Sequence, residues 1–280
     1  MNTNNNFYTI IYTTVIVVVV AALLAFVSQS LKEKQDANEK ADTISQMLTA
    51  AQFGTKAEFQ KMGNAAVLDK YAEEIERAFT VGLDGQQVSE LSIARDDIKV
   101  FGPKDLKRQN YNIKGGPNKT GEPELPVFIF KNGVTVIPIY GAGLWGPVWG
   151  YIAFETDCAT IRGAYFDHES ETAGLGAKIK DDPEFQAEFV GEIPDFTSEN
   201  IFEIVKGGAP ADADGKSVLD NKIDAITGAT MTSNGLDAAI DTWLGAYAAY
   251  FGATTSAQDC CCGEGEDECE ECEQPNAEEV

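Results

Sequence analysis

Apolar and polar positions follow three different patterns along this chain: one long apolar run, a helical period and a strand-like one. From Phe7 to Val27 the sequence runs FYTIIYTTVIVVVVAALLAFV without one charged side chain. About 21 residues of helix reach roughly 30 Å, the thickness of a bilayer's hydrocarbon layer, so a single transmembrane helix is expected over 7–27. A cleaved signal peptide would need a basic leading segment and a shorter apolar core. The leading tail, 1–6, holds no Lys or Arg, which favours an uncleaved anchor. Residues 28–68 are rich in Gln, Ala, Glu and Lys with Ile44, Met47, Leu48 and Phe53 among them, a pattern that predicts a helical stalk.

The period then shortens. VFIF (Val127 to Phe130) and VTVIPIY (Val134 to Tyr140) flank Asn132-Gly133, which predicts a hairpin with a type I′ turn, the type that needs positive φ at both central positions. GAGLWGPVWG (Gly141 to Gly150) supplies glycines for close backbone approach and two large aromatic faces, and YIAFET after it reads as another strand. Gly207 to Gly215 reads as loop and Ile223 to Ile226 as a short strand. The helical period returns from Ser233 to Phe251, with Leu236, Ala239, Ile240, Trp243, Leu244 and Tyr247 on one stripe. Together these elements predict an α+β fold: one transmembrane helix, then a soluble domain of antiparallel sheet and helices over 69–255, with its core motifs between 140 and 250.

Composition narrows the function. There are 21 Lys plus Arg against 45 Asp plus Glu, a net charge of −24. Such a surface repels phosphate backbones, so nucleic acid is not an expected partner; attraction of cations to it is a field effect and not a specific ion site. Cys158 is the only cysteine outside the tail, and Cys260, Cys261, Cys262, Cys269 and Cys272 crowd into 256–280. The fold therefore does not rest on disulfides. That tail pairs thiols with dense carboxylates, cannot bury a core and is expected to be disordered. The cysteine triplet departs from the regular paired spacing of a zinc site, and no metal site is assigned. Lys32 and Lys34 follow the anchor, which by charge alone puts the domain in the cytoplasm, but Glu33, Asp36 and Glu39 are interleaved with them.

The segment with most chemical content is DAITGATMTS, Asp224 to Ser233. It joins a strand to a helix, so the free N–H groups and positive dipole end of that helix lie beside Thr230, where a phosphate is welcome. Gly228 and Ala229 leave room for a bulky group, and Thr227, Thr232 and Ser233 are candidate hydrogen-bond donors or caps. An ordinary capped helix start with no ligand satisfies the same local physics.

Thr227-Gly-Ala-Thr230 resembles the [S/T]-G-A-T motif of the FMN-binding domains in the B and C subunits of the bacterial sodium-translocating NADH:quinone oxidoreductase, and in the D and G subunits of the related Rnf complex. A second segment, His168-Glu-Ser-Glu-Thr-Ala-Gly-Leu-Gly176, is similar to their E-T-P-G-L-G stretch, with Ala173 where proline is usual. The glycine-rich Gly141 to Gly150 segment, with the anchor and chain length, resembles the C subunit of the sodium-translocating complex more than its Rnf counterpart. The resemblance implies FMN esterified through its phosphate to Thr230, with Thr172, Gly174, Leu175, Gly176 and Trp145 beside the flavin. Core packing accounts equally well for Trp145. It also implies a six-subunit inner-membrane complex in which the A, B, D, E and F subunits are the partners, and a separate transferase that attaches FMN from FAD. In such a complex, electrons from NADH pass through this chain toward ubiquinone with sodium export, and the domain is periplasmic. No catalytic residue is expected on the chain itself.

Other residues weigh less. His168 is the only histidine, which excludes multi-histidine metal sites. Asp224 reads as a turn cap or a recognition residue, and Lys206 as a surface lysine. Gly252-Ala-Thr-Thr254 echoes the attachment motif but follows a helix. There is no G-x-G-x-x-G after a strand and no P-loop, so NADH and ATP sites are not expected here. An Rnf-type subunit and an exported, non-enzymatic binding protein are the competing classes.

Overall fold

The computed structural model describes residues 6–207 and 220–256. Helix α1 (Asn6–Ala50) carries the apolar segment, whose side chains are all exposed. It is long and apolar enough to cross a membrane, with a mean hydropathy of 2.9 over its most apolar stretch. The stalk expected over 28–68 differs from the structure. The helix continues unbroken past Val27, and its last turns do not stand clear of the domain: Ile44, Met47, Leu48 and Ala50 are fully buried in it. The helix ends where Gln52 adopts a positive φ of 59°. Helix α2 (Lys56–Met62) then starts on a capping box, in which the Thr55 amide donates to Glu58 and the Glu58 amide donates to the Thr55 hydroxyl. Helix α3 (Asn64–Glu74) leads into the sheet.

Six antiparallel strands form that sheet: β1 (Ile75–Val81), β2 (Gln87–Glu90), β3 (Leu125–Phe130), β4 (Thr135–Ala142), β5 (Pro147–Phe154) and β6 (Ile161–His168). Their order is β2-β1-β3-β4-β5-β6. Helix α4 (Pro103–Lys114) is inserted between β2 and β3. Both faces of the sheet are covered, which is why its strands read as nearly continuous apolar runs instead of a clean alternation. On one face Ile44, Met47 and Leu48 of α1 pack with Tyr71, Phe128, Phe130, Val136, Tyr151 and Tyr165. On the other, Ile137, Ile139, Val148, Ile152 and Phe166 pack against α7 (Thr230–Ser256). The stripe expected on α7 is the buried one: Leu236, Ile240, Trp243, Leu244 and Tyr247 have no exposed surface and Ala239 has 2%. A side chain on Gly235 would collide with the Ala142 carbonyl, so the start of α7 lies directly on the end of β4.

Three local expectations need correction. The β3–β4 turn is not type I′: Asn132 does not have positive φ, and only Gly133, at 78°, does. The Gly133 amide donates to the Phe130 carbonyl and the Asn132 side chain accepts from the Val134 amide. This is a three-residue loop, one longer than a type I′ turn, closed by a glycine in the left-handed region. The glycine-rich 141–150 segment is mostly strand, with only 143–146 outside β4 and β5. The short strand near Ile223 is β8 (Lys222–Asp224), which pairs in parallel with β7 (Glu203–Val205). Helices α5 (Lys178–Asp181) and α6 (Pro183–Ala187) connect β6 to this small second sheet. Most of the 207–215 loop and the cysteine-rich tail lie outside the described residues.

Candidate functional site

After β8 the chain turns through Thr227 and Gly228, whose φ is 82°, a conformation that favours glycine. The Ala229 amide donates to the Ile226 carbonyl at 3.0 Å, and the Ser233 amide to the Ala229 carbonyl at 2.9 Å. Ala229 is buried in the core, which fixes the turn from inside. Thr230 is thus the first residue of α7, a helix of 27 residues, and its side chain is exposed. The first amides of such a helix have no carbonyl one turn back, and its dipole is positive at this end.

Thr232 and Ser233, expected as ligand donors or caps, are buried and committed within the protein. The Thr232 hydroxyl donates to Glu171 Oε2 at 2.8 Å, and Ser233 Oγ accepts the Ile226 amide at 3.2 Å, tying the helix back to the turn before it. Thr227 is exposed.

The β6–α5 loop supplies the second wall. Thr172 closes it by accepting the Leu175 and Ala177 amides through its carbonyl, both at 3.1 Å, and Gly174 has φ of 73°. Gly176 is buried, whereas Leu175 is 42% exposed and lies over Gly228, its Cδ2 3.1 Å from where a Cβ on that glycine would be. The third wall is the β4–β5 loop, in which Trp145 is 68% exposed and makes its contact through the backbone: its amide donates to Glu171 Oε1 at 3.0 Å. All three segments picked out in the sequence therefore meet.

Glu171 is the residue that joins them, and sequence reasoning did not single it out. It stood inside the matched loop, but a carboxylate in a loop has no period or spacing that announces partners 26 and 61 positions away. Met231, 61% exposed, and Leu144, 48% exposed, were also missed; with Trp145 and Leu175 they make an apolar edge facing solvent. Of the lesser candidates, His168 Nδ1 accepts the Glu171 amide at 3.0 Å. The Asp224 amide donates to Glu188 Oε2 at 2.8 Å. Burial raises the Glu188 carboxyl above its ordinary range, with the negative charges of Asp224 and Asp182 adding to the effect. Lys206 is exposed beside Gly207, and Thr254 lies in the last turn of α7 instead of at a strand–helix junction.

A helix N-terminus with an exposed hydroxyl, flanked by exposed apolar and aromatic side chains, suits a ligand that is a phosphate at one end and a flat ring at the other. The architecture is that of an FMN-binding domain carried on an apolar helix, and residues 143–245 match the FMN-binding domain family. The C subunit of the Na(+)-translocating NADH-quinone reductase of Haemophilus ducreyi is 30% identical over 249 residues, covering 84% of this chain and 90% of that one. The same subunit of Vibrio vulnificus strain YJ016 is 31% identical over 188 residues, a stretch that spans 65% of this chain and only 61% of the relative. The crystal structure of the C subunit from Parabacteroides distasonis superposes with a TM-score of 0.58 at 30% identity, over 79% of this chain and 96% of that one. The chain belongs to the family formed by the C subunits of the Na(+)-translocating NADH-quinone reductase.

Proposed function

We propose that this protein is a membrane-anchored electron relay whose FMN is esterified through its phosphate to Thr230. The observation that carries the reading is the exposed Thr230 side chain at the start of α7, next to exposed Met231 and two residues past Gly228, over which Leu175 lies. In this reading a separate transferase attaches the cofactor. The threonine oxygen bonds to the FMN phosphorus, the pyrophosphate bond of FAD breaks, AMP leaves, and the hydroxyl proton goes to solvent. FMN supplies a ring that accepts and returns one or two electrons. The chain's own residues hold the phosphate end with the amides of α7, orient the site through Glu171, and offer apolar contact through Trp145, Leu175 and Met231.

The complex's activity, NADH oxidation by ubiquinone coupled to sodium export, is proposed for the assembly with the A, B, D, E and F subunits in the bacterial inner membrane, with this domain on the periplasmic side. The register of α1 supports delivery of electrons near the membrane. Gln46 meets Trp149 and Asp167, whereas Gln52, further from the apolar segment, meets the Arg162 carbonyl. As α1 leaves the bilayer, β6 therefore runs back toward it, and the loops bearing Trp145 and Glu171 lie at the end nearer the anchor.

The test is the assembled complex carrying Thr230→Ala. NADH-driven quinone reduction is expected to fall to background with all subunits retained, and Thr254→Ala is expected to keep it. A Thr230→Ala complex that turns over at the normal rate contradicts the reading.

A further inference from the structure

We propose that Glu171 is a positioning residue that holds the aromatic loop and the phosphate-bearing helix in register and also places an uncompensated negative charge beside the flavin site. This rests on the reading of Thr230 as the FMN attachment point. Each oxygen of its carboxylate serves a different wall: Oε1 accepts the Trp145 amide at 3.0 Å and Oε2 accepts the Thr232 hydroxyl at 2.8 Å. The carboxylate is aimed from behind, because the Glu171 amide is pinned to His168 Nδ1 at 3.0 Å. The protein also makes room for it. A Cβ on Gly143 would collide with Oε1, and one on Gly176 would lie 2.5 Å from Oε2 and 2.6 Å from the Thr232 hydroxyl oxygen. Side chains at those glycines would close the slot that the carboxylate occupies.

The charge has an effect of its own. Both side-chain partners are neutral donors, and among the described residues the ion pairs of the domain do not include Glu171. Hydrogen bonds from two neutral donors do not cancel the field of the carboxylate. Reduction adds electron density to the flavin, so a fixed negative charge nearby opposes it and lowers the potential. A glutamine in this place can keep both contacts, its amide oxygen accepting from Trp145 and its NH2 donating to the Thr232 hydroxyl, so Glu171→Gln removes the charge while the two walls stay joined.

The experiment uses the full chain, with and without FMN. Intact mass first establishes whether wild type carries FMN on Thr230; its absence there would sink the proposed function and not this inference alone. In flavin-free protein, Glu171→Ala and Thr232→Val are expected to speed hydrogen exchange at the Trp145 amide by about tenfold, the effect of freeing one charge-assisted hydrogen bond or one of its anchors. In flavin-loaded protein, Glu171→Gln, which keeps the side chain's volume, is expected to raise the flavin midpoint potential, whereas Glu171→Asp keeps it near wild type. If Glu171→Ala does not fold, Thr232→Val carries the exchange measurement and Glu171→Gln the potential. Trp145 exchange at the wild-type rate, or a Glu171→Gln potential equal to wild type, overturns the proposal.

Discussion

Two neighbouring regions at the same end of β5 and β6 are built to opposite rules. Where α1 crosses them, even polar groups are buried and partnered. Gln46, 2% exposed, donates to Asp42 at 2.8 Å and Asp167 at 3.0 Å and accepts the Trp149 indole N–H at 3.2 Å. Lys180 closes the network on Asp167 at 2.8 Å. A few residues along the same strands, at the Trp145 edge, large apolar side chains stand in water and the first amides of α7 have no intrahelical acceptor. Folding alone rewards the first arrangement and penalises the second, so the second marks where a ligand or partner completes the surface. Substitutions should separate the two: stability losses at the buried positions, and flavin effects without stability losses at the edge.

The largest stability effect is expected in the core beneath the site. Trp243 is fully buried, and its indole N–H donates to the Tyr140 carbonyl at 2.8 Å. Trp243→Ala should cost about 3–5 kcal/mol, read as a lower urea midpoint. Gln46→Leu should cost about 1–3 kcal/mol by leaving Asp167 and the Trp149 indole short of a partner. Both sit far above what the edge should show. Trp145→Ala should stay within about 0.5 kcal/mol of wild type while changing the fluorescence of the bound flavin; a large stability loss there would make Trp145 a core residue and erase the contrast.

A smaller effect concerns the small parallel sheet, which α7 holds with carboxylates. Asp237 accepts the Ile204 amide at 2.6 Å, and Asp241 accepts the Ile201 and Phe202 amides at 3.0 and 3.1 Å. Burial raises both carboxyls above their ordinary 3.8. The neighbouring charges of Asp241 and Glu203 add to this at Asp237, as does that of Glu203 at Asp241. Lys222 pairs with Glu203 at 2.9 Å on the same sheet. A carboxyl raised in the fold contributes stability that is complete below its unfolded value and is lost as pH rises through its folded one. Urea midpoints should therefore decline from about pH 4 upward more steeply in wild type than in Asp237→Asn or Asp241→Asn. Equal slopes in all three proteins would remove this account of the segment.

Much of this was legible in the sequence because it depends on local period and local chemistry. The α7 stripe, the β3–β4 hairpin, the apolar helix and the strand-to-helix setting of Thr230 all follow from residues a few positions apart. What escaped notice depends on distant partners. Residues 41–51 read as a polar stalk because Thr43, Ser45 and Gln46 are buried there; for Gln46 that is acceptable only once β5 and β6 supply its hydrogen bonds, while Ser45 is satisfied by the Asp42 carbonyl and Lys56. The hairpin was found but its turn type was not, since Asn-Gly fits a two-residue loop and, shifted by one residue, a three-residue one. Glu171 was hidden because its role exists only when three loops converge.

The most direct test of the account is the mass of the peptide spanning Thr230, taken from protein matured with its flavin transferase and then denatured. The account predicts an increment of FMN minus water on that peptide, absent in Thr230→Ala and retained in Thr254→Ala. An unmodified Thr230 peptide from fully matured protein would contradict it.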